Sequence, residues 1–240
     1  MTVLGLDYAG GRPGGAAIRA AGYGFVVRYL TDGGPSLPGK LLTPAEYRDL
    51  QSSGVAVVVN WEATADRMRA GHAAGLADAQ AADRTARSVG HPDDRPIYFS
   101  CDFDAAPDDQ AAIDEYLRGA ATVIGPSRVG IYGGYWPVSR ALSNGTAAWA
   151  WQTGAWSGGN VDSRIHMYQR IGAITVGGVE CDINEARQPD FGQHPKPFVR
   201  QSENMNMSYP NSRGRARLSQ PGHEPSLHWK GSSDHDVAVS

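Results

Sequence analysis

The chain has 240 residues, 41% of them hydrophobic and 20% charged, with a formal net charge of -3. This composition supports one sizeable globular core, gives no electrostatic reason to bind nucleic acid, and offers no stretch long or apolar enough to predict a membrane span. The N-terminus runs straight into a strand pattern without a basic-then-apolar leader. That predicts a protein cytoplasmic at synthesis, reaching any outside target by a route without a signal, such as a phage pore.

Val3 to Tyr8 reads as a strand, followed by a Gly-rich turn and a helix from Pro13 to Ala21. Phe25 to Leu30 is a second strand; after a Gly/Pro-rich loop, Thr43 would cap a helix with Pro44 at its first position and Glu46 at its third. Val55 to Glu62 leads to an alanine-rich helix from about His72 to Val89, and Ile97 to Asp104 to a helix from near Pro107 to Gly125-Pro126. Arg128 to Gly133 precedes a short helix from Trp136 to Leu142. Ala147 to Gln152, Ile165 to Gln169 and Val179 to Ile183 complete eight strand candidates. Beyond these, apolar periodicity fades, and residues 191–240 read as a polar, disordered tail.

Near-continuous apolar strands joined by helical crossovers predict a parallel sheet covered on both faces. Eight of them within residues 1–190 predict an α/β fold, a compact (β/α)8 TIM-like barrel whose helices are shortened or missing after the later strands. The alternative is an open doubly wound sheet. The first strand is not followed by the Gly-x-Gly-x-x-Gly of a dinucleotide site.

Barrel enzymes place their active sites at the C-terminal ends of the strands. Here those ends carry Asp7, Arg28, Glu62, Asp102 with Asp104, Tyr132, Gln152, Gln169 and Asp182. Side-chain alternation through Asp104 would put Asp102 and Asp104 on one face, with alpha-carbons roughly 6.5–7 Å apart. Two like charges buried side by side destabilise a fold, so a site explains them better than stability does.

These segments, in this order, resemble the glycoside-hydrolase-like barrels of the domain of unknown function 1906 family, relatives of the family 25 lysozymes that cleave peptidoglycan. The matching pieces are Gly5-Leu6-Asp7, Phe25 to Tyr29, Tyr98 to Asp104, Gly130-Ile131-Tyr132-Gly133, Trp151-Gln152, Tyr168-Gln169 and Cys181-Asp182-Ile183-Asn184. The resemblance implies that Asp7, Asp102, Asp104 and Asp182 form the acidic rim of a sugar-binding groove. In the lysozymes the fourth strand ends in Asp-x-Glu, the Glu being the general acid. Asp104 stands in that place, one methylene shorter, and Asp102 with partial burial would have to raise its pKa.

Glu62 is a second candidate acid, equally able to pair with Arg28 or Arg67. Tyr8, Tyr29, Trp61, Tyr132, Tyr135, Trp136, Trp151 and Trp156 lie at or just past strand ends, where rings can stack on sugars, and Arg28, Gln152 and Gln169 could supply polar contacts. The sequence holds no zinc or EF-hand motif, so neither metal nor cofactor is expected. Cys101 and Cys181, on the fourth and eighth strands, read as buried free thiols. The expected partner is a peptidoglycan glycan, met by a monomer. Two classes stay open: a hydrolase, favoured by the complete acidic rim, and a carbohydrate-binding barrel, favoured by Asp in place of Glu.

Overall fold

Runs of β-branched and aromatic residues set the strands: β1 (Leu4–Asp7), β2 (Phe25–Tyr29), β3 (Ala56–Trp61), β4 (Ile97–Ser100), β5 (Val129–Gly133), β6 (Trp149–Thr153), β7 (Met167–Val176) and β8 (Val179–Ala186). In the computed structural model, which describes residues 2–196, they close into a barrel in sequence order. Helices α1 (Gly15–Ala20), α2 (Pro44–Ser52), α3 (Gly71–Val89), α4 (Gln110–Ile124) and α5 (Tyr135–Asn144) follow the first five strands, and among the described residues no helix follows β6. The compact barrel with missing late helices is therefore the fold.

One feature departs from the expected parallel sheet. β8 pairs antiparallel with both β7 and β1, whereas neighbouring strands from β1 to β7 pair parallel. The cause is the two-residue link Gly177-Gly178, at φ 55° and 79°. Two glycines with positive φ make a hairpin turn, and a parallel return would need a dozen or more residues. β8 thus enters from the mouth of the barrel, and its register sets Asp182 opposite Asp7.

Alternation along the strands divides the apolar residues into two cores. Phe25, Val27, Val58, Tyr98, Tyr132, Trp151 and Met167 fill the lumen, while Leu6, Val26, Val57, Phe99 and Ile131 pack outward toward the helices. Cys101 and Cys181 are free, buried thiols of that outer core. At the other end of the lumen Phe191 closes the floor, its ring centroid 4.5 Å from that of Phe25 and its carbonyl accepting from the Tyr98 hydroxyl at 2.8 Å. His194 pairs with Val57 along the backbone. The packed chain therefore runs past the expected boundary at residue 190; the remainder of the expected tail, residues 197–240, lies outside the described residues.

Helix α2 starts as its sequence requires, with the Thr43 hydroxyl accepting from the Glu46 amide at 3.2 Å. The Glu46 carboxylate does not reach back to complete a capping box; it is held by Arg28, Arg12 and Tyr8. Helices α3 and α4 approach so closely at Gly75 that a side chain there would meet the Tyr116 carbonyl at 1.9 Å. Among the described residues no helix is long and apolar enough to cross a membrane.

Candidate active site

The mouth of the barrel is organised around Asp7, the last residue of β1 and 2% exposed. Its Oδ1 accepts from the Tyr29 hydroxyl at 3.1 Å, and its Oδ2 accepts from Gln169 Nε2 at 2.9 Å and Asn184 Nδ2 at 2.7 Å. Burial, and then the neighbouring Asp182, push its pKa up to about 7, against the pull of the three donors. Beside it opens a groove of about 360 Å³, lined among others by Tyr8, Tyr29, Leu37, Cys181 and Asp182.

Asp102 lies just beyond β4 and is half-buried. Burial raises its pKa to about 6; Glu62 adds to the rise, Lys40 opposes it, and Asp182 contributes weakly in the same direction as Glu62. Glu62 is ion-paired with Lys40 at 2.9 Å. Asp182 is partly buried, its pKa raised by burial and by Glu180. The mouth thus holds one fully enclosed carboxyl with fixed donors and a more accessible one that titrates near neutral pH. An accessible carboxyl with a raised pKa suits proton delivery, and an enclosed one held by three donors suits a supporting place behind the groove.

A family model described as the Rv2525c-like, glycoside hydrolase-like domain matches residues 16–186. The chain belongs to this family. It is 33% identical over 199 residues to Rv2525c of Mycobacterium tuberculosis, provisionally named a peptidoglycan hydrolase, covering 78% of this chain and 82% of that one. The crystal structure of Rv2525c, described as a Tat-secreted protein, superposes with a TM-score of 0.74 at 31% identity, covering 80% of this chain and 98% of that one. Two more distant structures share the barrel. A bacterial lysozyme from Streptomyces coelicolor has a TM-score of 0.53 at 20% identity, over 78% of this chain and 93% of that one. GHIP, a glycosyl hydrolase 25 of Streptococcus pneumoniae, has a TM-score of 0.53 at 15% identity, over 76% and 86%.

The Rv2525c relationship corrects one expectation. A relative exported through the Tat route points to export, and overturns the reading of a cytoplasmic protein released through a phage pore.

Within this glycoside hydrolase-like barrel, the residues predicted from sequence fall into three groups. Asp7, Glu62, Asp102 and Asp182 gather at the mouth: Asp182 raises the pKa of both Asp7 and Asp102, and Glu62 that of Asp102. Tyr29, Tyr132 and Gln169 also reach the mouth, but their polar atoms serve Asp7: the Tyr132 hydroxyl donates to Gln169 Oε1 at 2.7 Å, and Gln169 in turn donates to Asp7. The remainder sit elsewhere. Arg28 is fully buried outside the lumen, ion-paired with Glu46 at 2.8 Å and lying over the Tyr8 ring at 4.1 Å, while the Tyr8 hydroxyl donates to Glu46. Gln152, also fully buried, holds the loop after β6 through the Asn160 carbonyl and the Asp162 amide. Each follows or precedes a lumen-facing neighbour on its strand, so alternation turns it outward.

Asp104 is corrected in position. β4 ends at Ser100, so alternation no longer governs residue 104, and Asp104 is exposed rather than sharing a buried face with Asp102. Glu62 pairs with Lys40 and neither Arg28 nor Arg67; Arg67 pairs with Asp78. Trp61 is half-buried against the outer core, whereas Trp136 and Trp156 are exposed. Trp136 is set edge-on to Tyr135 and lies beside the Arg140 guanidinium. Sequence reasoning missed Lys40, which pairs with Glu62, Asn184, which donates to Asp7, and the buried pair in which Asn60 Nδ2 donates to the Ser100 hydroxyl at 2.8 Å. Asn184 was within reach, lying two residues past Asp182 on the same strand face; Lys40 sits in a Gly/Pro-rich loop that carries no local signal.

Proposed function

We propose that this chain hydrolyses glycosidic bonds in bacterial peptidoglycan at the mouth of its barrel. Asp102 donates the proton to the departing glycosidic oxygen, and Asp182, which lines the groove beside Asp7, faces the positive charge that develops on the sugar ring, with the enclosed Asp7 behind it. The observation that carries this reading is the unequal pair of raised aspartates: Asp102 titrates near 6 at an accessible position, while Asp7 is enclosed and accepts three hydrogen bonds. Trp136 and Trp156, exposed near that mouth, offer faces for sugar stacking. Family membership and the name given to Rv2525c support the substrate class. The reading moves the acid from Asp104, in the lysozyme Glu position, to Asp102.

Purified peptidoglycan is incubated with wild type, Asp102→Asn and Asp104→Asn, and new reducing ends are measured. Release by wild type and by Asp104→Asn but not by Asp102→Asn is the expected result. No release by wild type, with co-sedimentation on the wall that depends on Trp136, would make this a carbohydrate-binding barrel. That second reading draws on the exposed position of Asp104 and the absence of a longer carboxylate there.

A further inference from the structure

The amides that hold Asp7 are themselves held. Asn184 is fully buried, and its Oδ1 accepts from the indole Nε1 of Trp151 at 2.8 Å while its Nδ2 donates to Asp7 Oδ2 at 2.7 Å. An indole N–H can only donate, so the atom of Asn184 that faces it must be the oxygen, and the amino group is left facing Asp7. The Tyr132 hydroxyl, which can donate or accept, sits in the matching place on Gln169. The two rings pack together, with centroids 4.3 Å apart, and Trp151 is 1% exposed. Trp151 is the member of this double relay whose polarity has no alternative.

We infer that Trp151 is a positioning residue for Asp7: acting through Asn184, it fixes an N–H donor on Oδ2 beside that of Gln169 and leaves Oδ1, on the Tyr29 side, as the atom where Asp7 can carry a proton. The assignment rests on the placement of Asp7 in the proposed active site. The consequence is directional. A proton held by Asp7 lies toward Tyr29, whose hydroxyl then turns to accept it, and Oδ2 stays the fixed acceptor of the donors from β7 and β8. The groups that face Asp7 from the surrounding strands are Tyr29 from β2, Tyr132 from β5, Gln169 from β7, and Cys181, Asp182 and Asn184 from β8. Trp151 touches none of the ionisable groups in this set through its polar atom. Its effect must therefore pass through the amide.

The test follows the Asp7 carboxyl by carbon-13 NMR in the full chain across pH 4–9, with Asp7→Asn identifying the signal. In Trp151→Phe, which keeps an aromatic ring and loses the donor, the Asp7 midpoint is expected to rise by about one pH unit as the Asn184 amide becomes free to turn. Asn184→Leu should raise it at least as far, and the double variant should match Asn184→Leu alone. An unchanged midpoint in folded Trp151→Phe, or additive shifts in the double variant, would overturn the inference. Should Trp151→Phe fail to fold, wild type supplies a second readout: the Trp151 indole proton should shift with the same midpoint as Asp7, and should stop doing so in Asp7→Asn. An indole proton indifferent to Asp7 would overturn the inference equally. These titrations need no turnover, so failure to cleave peptidoglycan would count against the proposed function alone.

Discussion

Asp7 and Asp102 are the same residue type at the same barrel mouth, yet they are held in opposite ways. Asp7 ends a strand and its two oxygens meet donors from β2, β7 and β8; Asp102 sits past the end of β4, half-buried, and the groups that set its acidity are charges rather than hydrogen-bond donors. A strand-borne carboxyl is fixed in place and shielded from solvent. A loop-borne one keeps access to a substrate and remains tunable by a single neighbouring lysine. The difference between these two aspartates comes from backbone position before any difference in chemistry.

The sharpest way to break this comparison is Asp102→Asn, expected to lower kcat/KM on peptidoglycan by ~10²–10⁴-fold, the range for loss of a general acid. In wild type the same group should make kcat/KM fall with rising pH above about 6, where Asp102 loses its proton. A flat profile from pH 5 to 8 would remove Asp102 from the acid role.

Asp7→Asn tests the enclosed side through stability. The folded pKa of Asp7, about 7, lies above the ordinary carboxylate value of 3.8, so its contribution is fully present below pH 4 and is lost as pH rises through 7. Relative to wild type, the variant should gain on the order of 2–4 kcal/mol between pH 4 and pH 8 in urea denaturation. A stability difference that does not change with pH would mean that Asp7 is not buried against its charge.

Trp136→Ala should weaken sedimentation with the wall by roughly 3–10-fold, the loss of about one stacked ring, with little change in the melting temperature because the ring is exposed. Lys40→Met should move the alkaline limb of kcat/KM upward by about half a pH unit, since Lys40 is the charge that lowers the Asp102 pKa. The smallest effect belongs to Asp104→Asn, at most about threefold in kcat/KM, as expected for an exposed side chain beyond the strand.

Much of this arrangement was legible in the sequence where strand alternation applied. Asp7 and Asp182 follow from where apolar strands meet polar residues, although Asp182 reaches the mouth because β8 enters there, not because it leaves there. The Gly177-Gly178 pair carried the hairpin signal that would have reversed β8. Arg28 and Gln152 went astray because strand ends were read without assigning a face to each residue; neighbours on a strand cannot both enter the lumen. Asp104 failed for a different reason. A boundary four residues earlier than expected, at Ser100, ended the regularity on which its placement depended. Lys40 was invisible because its meeting with Glu62 depends on the path of an irregular loop.

The donors on Asp7 come from residues 29, 169 and 184, the last of them 177 positions away along the chain. During synthesis Asp7 is made well before Gln169 and Asn184, so the two amides that hold it come later than the carboxyl itself. Only with β8 paired between β7 and β1 does the carboxyl have its full set of partners, so the site is complete only in the closed barrel. A chain stopped before Asn184 would own every earlier strand and still lack that donor on Asp7, which ties the surroundings of this one carboxyl to the closure of the whole barrel.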